Sequence, residues 1–289
     1  MGAGTGREVS AVRSDPHPTP ARPSLVLDVG TSWTKLALAD AGRLLRIGAF
    51  PSADDAGRWR ANLERVLALR ALALHPRHVD HVAVSSVVPA VAEALRTSGA
   101  GADPPVPVRF VSARSAPLTF DYRPQGALGG DRIADAVAAV AGWGSPVVVV
   151  DIGTATTCDL VSGGRFLGGA IAPGPWVGYR GLLDRVPHLA AAGEAPTDRV
   201  RDDHVPLAGT STRDCLRVGV LRGAAALVDG LVRGQQHLVG PCPVVATGGL
   251  AGAVAPLSAT ITVVDADLTL RGIHLACAPA AAPGGQPAA

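Results

Sequence analysis

An α/β fold made from two copies of one unit, with a ligand held between the copies, is what this sequence predicts, and three observations carry that prediction. Val147–Val150 run as β-branched residues into Asp151 and Gly153, a threonine-rich turn leads into a second strand, and Gly163-Gly164 fold the chain back into a third. The same design occurs once before. Leu25–Lys35 aligns with Val148–Cys158 at a constant offset, and after a slip of one residue Leu38–Leu44 matches Leu160–Phe166. Stretches of helical periodicity alternate with these strands. Either copy alone is also compatible with an ordinary hairpin; the pair points to a duplicated domain with a site between its halves.

The second turn is chemically suited to an anion. Gly153 lets the backbone approach a ligand closely, and the hydroxyls of Thr154, Thr156 and Thr157 can donate hydrogen bonds along with the turn amides. Asp151 can hold a cation against the same ligand.

A chain of 289 residues buries a sizeable core and is long enough for two domains. Residues 1–23 are expected to be a disordered leader, rich in proline and without the apolar segment of a signal peptide. Residues 24–142 are expected to form the first half, 143–277 the second, and 278–289 a disordered tail. The formal net charge is +2 and the basic residues are scattered, so no footprint for nucleic acid or an anionic membrane is present. Every apolar run is too short to span a bilayer. Cys158, Cys215, Cys242 and Cys277 lie far apart, which indicates neither a zinc site nor a disulfide framework. They read as reduced thiols of a cytoplasmic protein.

In chain order, Ala56–Leu74 reads as an amphipathic helix on the first sheet, and Val79–Val84 as a strand leading to Ser85-Ser86-Val87-Val88-Pro89 and a helix to about Arg96. Without a Gly-x-Ser-x-Gly elbow, Ser85 and Ser86 read as a strand end with a capping serine, not as nucleophiles. Gly99–Pro107 is a loop and Val108–Val111 a strand. Gly129-Gly130-Asp131-Arg132 then opens a helix over Ile133–Ala141. Asp131 has two readings there: a cap at the positive end of the helix dipole, or a carboxylate that orients a substrate hydroxyl and takes its proton during phosphoryl transfer.

Gly142–Pro146 is the expected seam between the halves. Gly168–Gly174 is expected as a loop, because its glycines and proline disfavour regular structure, followed by a helix through Leu182 and Leu183 to about Ala191. Thr212 is expected to cap a long helix on which Leu216, Val220, Leu227 and Leu231 share a face, either core or an exposed strip that would serve a dimer. Val244–Thr247 is a strand. The glycines Gly248 and Gly249 after it either let the backbone pass close to a nucleoside or make a plain turn. Ile261–Val264 is the last strand. His75, His78, His81, His188, His204, His237 and His274 show no metal-binding spacing.

Six motifs in order give the chain a resemblance to type III pantothenate kinases over about Leu25–Leu275: Asp28–Lys35, Ser85–Pro89, Gly129–Arg132, Asp151–Thr157, Gly168–Gly174 and Thr247–Gly249. The resemblance implies a duplicated actin-like (ribonuclease H-like) ATPase fold with an ATP cleft between two domains. It implies phosphorylation of pantothenate by ATP, the first step of coenzyme A biosynthesis, in a homodimer. Carried over by motif, Asp28, Val29, Gly30, Thr31, Ser32, Trp33, Thr34 and Lys35 would wrap the ATP phosphates, with Asp28 helping to hold Mg²⁺. Thr154 would donate to the phosphates, and Gly248 and Gly249 would lie on the adenosine side. Asp151 matches the site of a monovalent cation, K⁺ or NH₄⁺. Tyr122, Gly129, Gly130, Asp131, Arg132 and Thr212 match the pantothenate site, with Asp131 as proton acceptor.

The first phosphate loop departs from the family's usual Asp-x-Gly-Asn-Thr-Asn, having Thr31, Ser32 and Trp33 at the last three positions. That departure motivates a rival reading as a ligand-binding regulator, and another kinase of the wider fold is a third.

Overall fold

The computed structural model describes residues 22–40, 43–69, 79–98, 106–192 and 205–278. Residues 1–21 of the expected leader, residues 279–289 of the expected tail, the end of the first helix after residue 69, most of the Gly99–Pro107 loop, and His75, His78 and His204 lie outside them.

Ser24–Val29 is buried along its whole length, as befits a β-branched and leucine-rich run in the middle of a sheet. It is β1, and it pairs antiparallel with β2 (Trp33–Asp40), which pairs antiparallel with β3 (Arg43–Pro51). On its other side lie, in parallel, β4 (Val82–Ser86) and β5 (Val108–Phe110), so the sheet order is β3-β2-β1-β4-β5. The second sheet repeats the pattern with β7 (Val147–Ile152), β8 (Ala155–Ser162), β9 (Arg165–Pro173), β10 (Val244–Thr247) and β11 (Val263–Val264) in the same relations. One strand is added at its edge: β6 (Thr119–Phe120) pairs with β9. The one-residue slip in the sequence repeat has a structural counterpart in the first turn, which holds one more residue: Val29 pairs with Thr34, whereas Ile152 pairs with Thr156. Both copies also carry a register shift, at Leu36/Ala37 and at Leu160/Val161.

Seven helices complete the described chain: α1 (Ala56–Leu69), α2 (Pro89–Ser98), α3 (Gly130–Trp143), α4 (Pro175–Arg185), α5 (Thr212–Val239), α6 (Ala251–Val254) and α7 (Leu268–Cys277). Strand periodicity decides what each covers. Leu25, Leu27 and Val29 point to the side packed by Trp59 of α1 and Val91 of α2, whereas Val26 meets Ala134 of α3 and Leu270 and Ile273 of α7. In β7, Val148, Val150 and Ile152 meet Ala225, Val228 and Val232 of α5, whereas Val147 and Val149 meet α3. The pair α3 and α7 is therefore sandwiched between the two sheets. The same alternation puts Asp28 in phase with Val26, and Asp151 in phase with Val149, so both carboxylates face inward.

The small residues on α3 and α7 permit this layering. A Cβ on Gly272 would collide with the Ala134 carbonyl, so only glycine allows the two backbones to approach as they do.

Several expectations are corrected. Gly168–Gly174 is not a loop: β9 runs to Pro173, paired with β8 from Ala155↔Pro173 to Ser162↔Arg165. Glycine costs strand propensity, but the partner strand supplies the ladder, and Gly168, at φ +123°, sits at the register shift. The cap of α5 is Ser211, whose hydroxyl accepts from the Asp214 amide at 3.1 Å, and Thr212 is its first residue. Helix α4 stops at Arg185, followed by a 3₁₀ turn over Pro187–Ala192. The last strand is two residues long, and α3 starts three residues earlier than expected. Leu216, Val220 and Leu227 do not enter the core, which takes Leu221, Ala225, Val228 and Val232 instead; they line a cavity of about 570 Å³ between α4 and α5. Among the described residues no helix is long and apolar enough to cross a membrane.

Candidate active site

The two turns meet. Gly30 N–H donates to the carbonyl of Trp33, three residues on, at 3.0 Å, and Gly153 N–H to that of Ala155, two residues on, at 2.9 Å, so its glycine closes each turn and the second turn is one residue tighter. Across the gap, the hydroxyls of Ser32 and Thr154 are 2.8 Å apart, although 122 residues separate them in the chain. Thr31, Ser32, Trp33 and Thr154 are exposed at this mouth. Val29 and Thr34 belong to the same segment but turn into the first lobe. Thr34 is fully buried between the Ser52 hydroxyl and the Trp59 indole N–H, each at 2.9 Å.

Gly174 and Gly248 press onto the second turn. A side chain on Gly174 would run into the Gly153 and Thr154 carbonyls, and one on Gly248, at φ +94°, into Asp151 Oδ1 and the Ile152 carbonyl. Gly248 and Gly249 thus pass over the turn that carries Asp151. Leu250 N–H anchors them by donating to the Ile152 carbonyl at 3.0 Å.

Behind the mouth, carboxylates outnumber cations. Lys35 lies opposite Asp28 in the β1–β2 register, with Nζ 3.4 Å from Oδ2. It is the only lysine in the chain, all other basic side chains being arginines. Burial disfavours its charge, but Asp28, Asp151 and Asp135 outweigh that and raise its pKa. Burial raises Asp28, with Lys35 opposing and Asp131 adding to the rise. Asp151 is pushed up to about 7, first by burial and then, against Lys35, by the negative charges of Asp28 and Asp131. Such a cluster favours added cations with oxygen-seeking chemistry.

Two members escaped the sequence reading. Asp135, one turn beyond Asp131 on α3, is almost wholly buried; burial and then Asp151 hold its carboxyl well above the ordinary range, while Thr269 of α7 hydrogen-bonds to it. Its Oδ1 has no hydrogen-bond partner among the described residues, and neither does the buried hydroxyl of Thr247, which lies beside Asp151 in the β10–β7 register. A polar residue at helical spacing from Asp131 was the only sequence signal for Asp135.

Asp131 stands in the first turn of α3, and its Oδ1 accepts from the Arg132 amide at 2.8 Å. The cap residue is Gly129, which has no side chain to offer. The guanidinium of Arg132 is buried against Asp159 of β8 and stacks 5.4 Å from the Tyr122 ring centroid and 5.6 Å from that of Phe166. Tyr122, Gly129, Gly130, Asp131 and Arg132 are thus brought together. Thr212 is elsewhere, lining the α4–α5 cavity with Thr156, Tyr179 and Leu227.

A strand-turn-strand pair closing on one another, with a lysine and four inward carboxylates, is chemically suited to phosphate and cations at the joint of a duplicated fold. The family model for type III pantothenate kinase matches residues 24–234. The chain belongs to that family. It is 36% identical over 244 residues to a type III pantothenate kinase of Roseiflexus castenholzii, covering 80% of this chain and 93% of the relative. It is 34% identical over 259 residues to one from Acidothermus cellulolyticus, covering 87% and 96%. Among solved structures, a ROK family glucokinase from Streptomyces griseus, crystallised with glucose and AMPPNP, superposes with a TM-score of 0.51 at 14% identity, covering 87% of this chain and 97% of that one. The fold is the duplicated actin-like ATPase fold, and the chain is a pantothenate kinase family enzyme that uses ATP with a divalent metal. Nothing in these likenesses supports the regulator reading.

Proposed function

We propose that this chain transfers the γ-phosphoryl group of ATP to the primary hydroxyl of pantothenate, with Asp131 as proton acceptor. The observation that supports the assignment most is the position of Asp131, at the start of the helix sandwiched between the lobes and within electrostatic reach of both Asp28 and Asp151. Its Oδ1 is turned to the Arg132 amide, and Oδ2 is the oxygen assigned to the substrate hydroxyl.

The hydroxyls of Thr31, Ser32 and Thr154 and the turn amides receive the phosphates, and Lys35 contributes a compact positive charge. Gly248 and Gly249 pass beside the adenosine. Tyr122, Gly129, Gly130 and Arg132 bound the pantothenate site. As the hydroxyl oxygen bonds to the γ-phosphorus, the bond to the β-phosphate oxygen breaks, ADP leaves, and the proton goes to Asp131. Positioning and electrostatic stabilisation supply the rate enhancement.

The inward carboxylates and unpartnered buried oxygens fit hard cations. Asp28 would hold Mg²⁺ indirectly, and Asp151 a monovalent cation, K⁺ or NH₄⁺. When bound, these ions neutralise phosphate charge.

The lobes are residues 24–142 and 143–277. The enzyme works in the cytoplasm as a homodimer, using the strip Leu216, Val220 and Leu227, with Thr212 at its edge contributing across the interface to the substrate site of the other copy.

ADP release by purified protein with ATP, Mg²⁺, K⁺ or NH₄⁺, and pantothenate tests the reading. Turnover is expected to depend on pantothenate and to fall about 10²- to 10⁴-fold in Asp131→Asn. Near-parental turnover in that variant would remove Asp131 from its role.

A further inference from the structure

We propose that Asp159 is a positioning residue for the phosphoryl transfer: it clamps the side chain of Arg132, and the main chain of Arg132 in turn fixes the direction of the Asp131 carboxylate. The proposal rests on the reading of Asp131 as proton acceptor.

The clamp is built from both sides. Arg132 Nε donates to Asp159 Oδ2 at 2.9 Å and its terminal nitrogen to Oδ1, a bidentate pair in which both side chains are buried. Tyr122 and Phe166 wall the guanidinium plane, and the remaining nitrogen reaches toward the Tyr122 hydroxyl at 3.5 Å. The same arginine's amide holds Asp131 Oδ1. Since Gly129 gives α3 no side-chain cap, this clamp anchors the helix start to the second sheet.

Its other end matters equally. Asp159 lies on β8, the strand that leaves the second phosphate turn, so the clamp ties the proton acceptor to the turn that carries Thr154. Room for it is reserved across the sheet. Gly169 is the β9 partner of Asp159, and any Cβ there would overlap the Asp159 carboxylate and the Cys158 carbonyl. Both oxygens of Asp159 are engaged by Arg132, and Asp159 has no part of its own in the transfer. A buried ion pair adds little net stability over an apolar pair of the same volume, whereas two parallel bonds fix an orientation.

The test is a double-mutant cycle read in kcat. Asp159→Asn is expected to lower kcat about 10²-fold, the scale of an ångström-sized misplacement, with the KM for ATP near parental. In an Asp131→Asn background the same substitution is expected to change kcat by no more than about twofold, because the residue it positions is already gone. An equal loss in both backgrounds overturns the proposal.

Because Asp159→Asn strands a buried arginine, Arg132→Lys is run through the same cycle. It keeps the charge but loses the fork; it is read in kcat at saturating pantothenate, so that weaker substrate binding does not enter, and additive losses there overturn the proposal if Asp159→Asn does not fold. Gly169→Ala, which pushes on the clamp from β9, is expected to follow Asp159→Asn; parental kcat in that variant counts against the clamp. Parental turnover in Asp131→Asn alone would remove the proton-acceptor reading and this proposal with it, whereas additivity with Asp131→Asn impaired removes the clamp only.

Discussion

Replacing Asp151 by Asn should stabilise the nucleotide-free protein, and by an amount that depends on pH. The Asp151 carboxyl is held at about 7 against an ordinary value of 3.8, chiefly because burial penalises its charge. A group whose folded-state pKa is raised binds its proton more tightly when folded. Its contribution is complete below about pH 4 and is lost as pH rises to about 7. Three pH units correspond to about 4 kcal/mol at most, and Asp151 is only half-buried at the cleft, where water screens it, so about 1–2 kcal/mol is expected. For lobes of this size that is a Tm difference of roughly 3–6 °C.

The assay is thermal unfolding of parent and Asp151→Asn between pH 4 and 8.5 without nucleotide, in a buffer free of K⁺ and NH₄⁺. The variant's advantage should be near zero at the acid end, grow to pH 7, and stay level above it. Added K⁺ should narrow the gap at pH 8 by stabilising only the parent. A difference that does not vary with pH would refute the assignment of a buried, repelled charge to Asp151.

Three further outcomes are expected. Lys35→Arg keeps the charge but should lower kcat/KM for ATP at least about tenfold, consistent with losing one charge-assisted hydrogen bond of about 1.5–3 kcal/mol; steady-state kinetics with parental values would show that any cation suffices beside Asp28. Gly248→Ala should cost about 1–3 kcal/mol in urea unfolding and raise the KM for ATP, since φ +94° and the carboxylate of Asp151 both oppose a side chain. Leu227→Glu should convert a dimer to a monomer in light scattering without changing the far-ultraviolet circular dichroism, and a parent already monomeric would exclude the α4–α5 strip as an interface.

How far these features were legible depended on whether their cause was local. Asp28 and Asp151 could be read from the chain because a period of two, a glycine and a repeat all lie within a dozen residues. Even the slip in the repeat corresponds to one extra residue in the first hairpin turn. Asp135 and Asp159 gain their roles from partners well beyond one turn of helix or one hairpin away, Thr269 and Asp151 for the first and Arg132 for the second, which no local pattern announces. The glycine-rich end of β9 was misread for the opposite reason: its local propensity opposes a strand, and the ladder to β8, the room for Asp159 and the contact of Gly174 with Thr154 override it. Lys35 is marked in the sequence by more than its motif. In a chain that uses arginine everywhere else, one retained lysine marks a place where a guanidinium is not equivalent.

The packing of α7 has a consequence for biosynthesis. Val26, Ala37 and Ala83 of the first sheet are covered by Leu270, Ile273 and Cys277 besides Ala134 of α3, so the part of that apolar face that α3 leaves uncovered has nothing to bury it until residue 277 has left the ribosome. Growing chains therefore carry that face open through the synthesis of the entire second lobe. At elongation rates of about 5–20 residues per second, this amounts to several seconds in which a chaperone, or a neighbouring nascent chain, can reach the sheet before its own helix does.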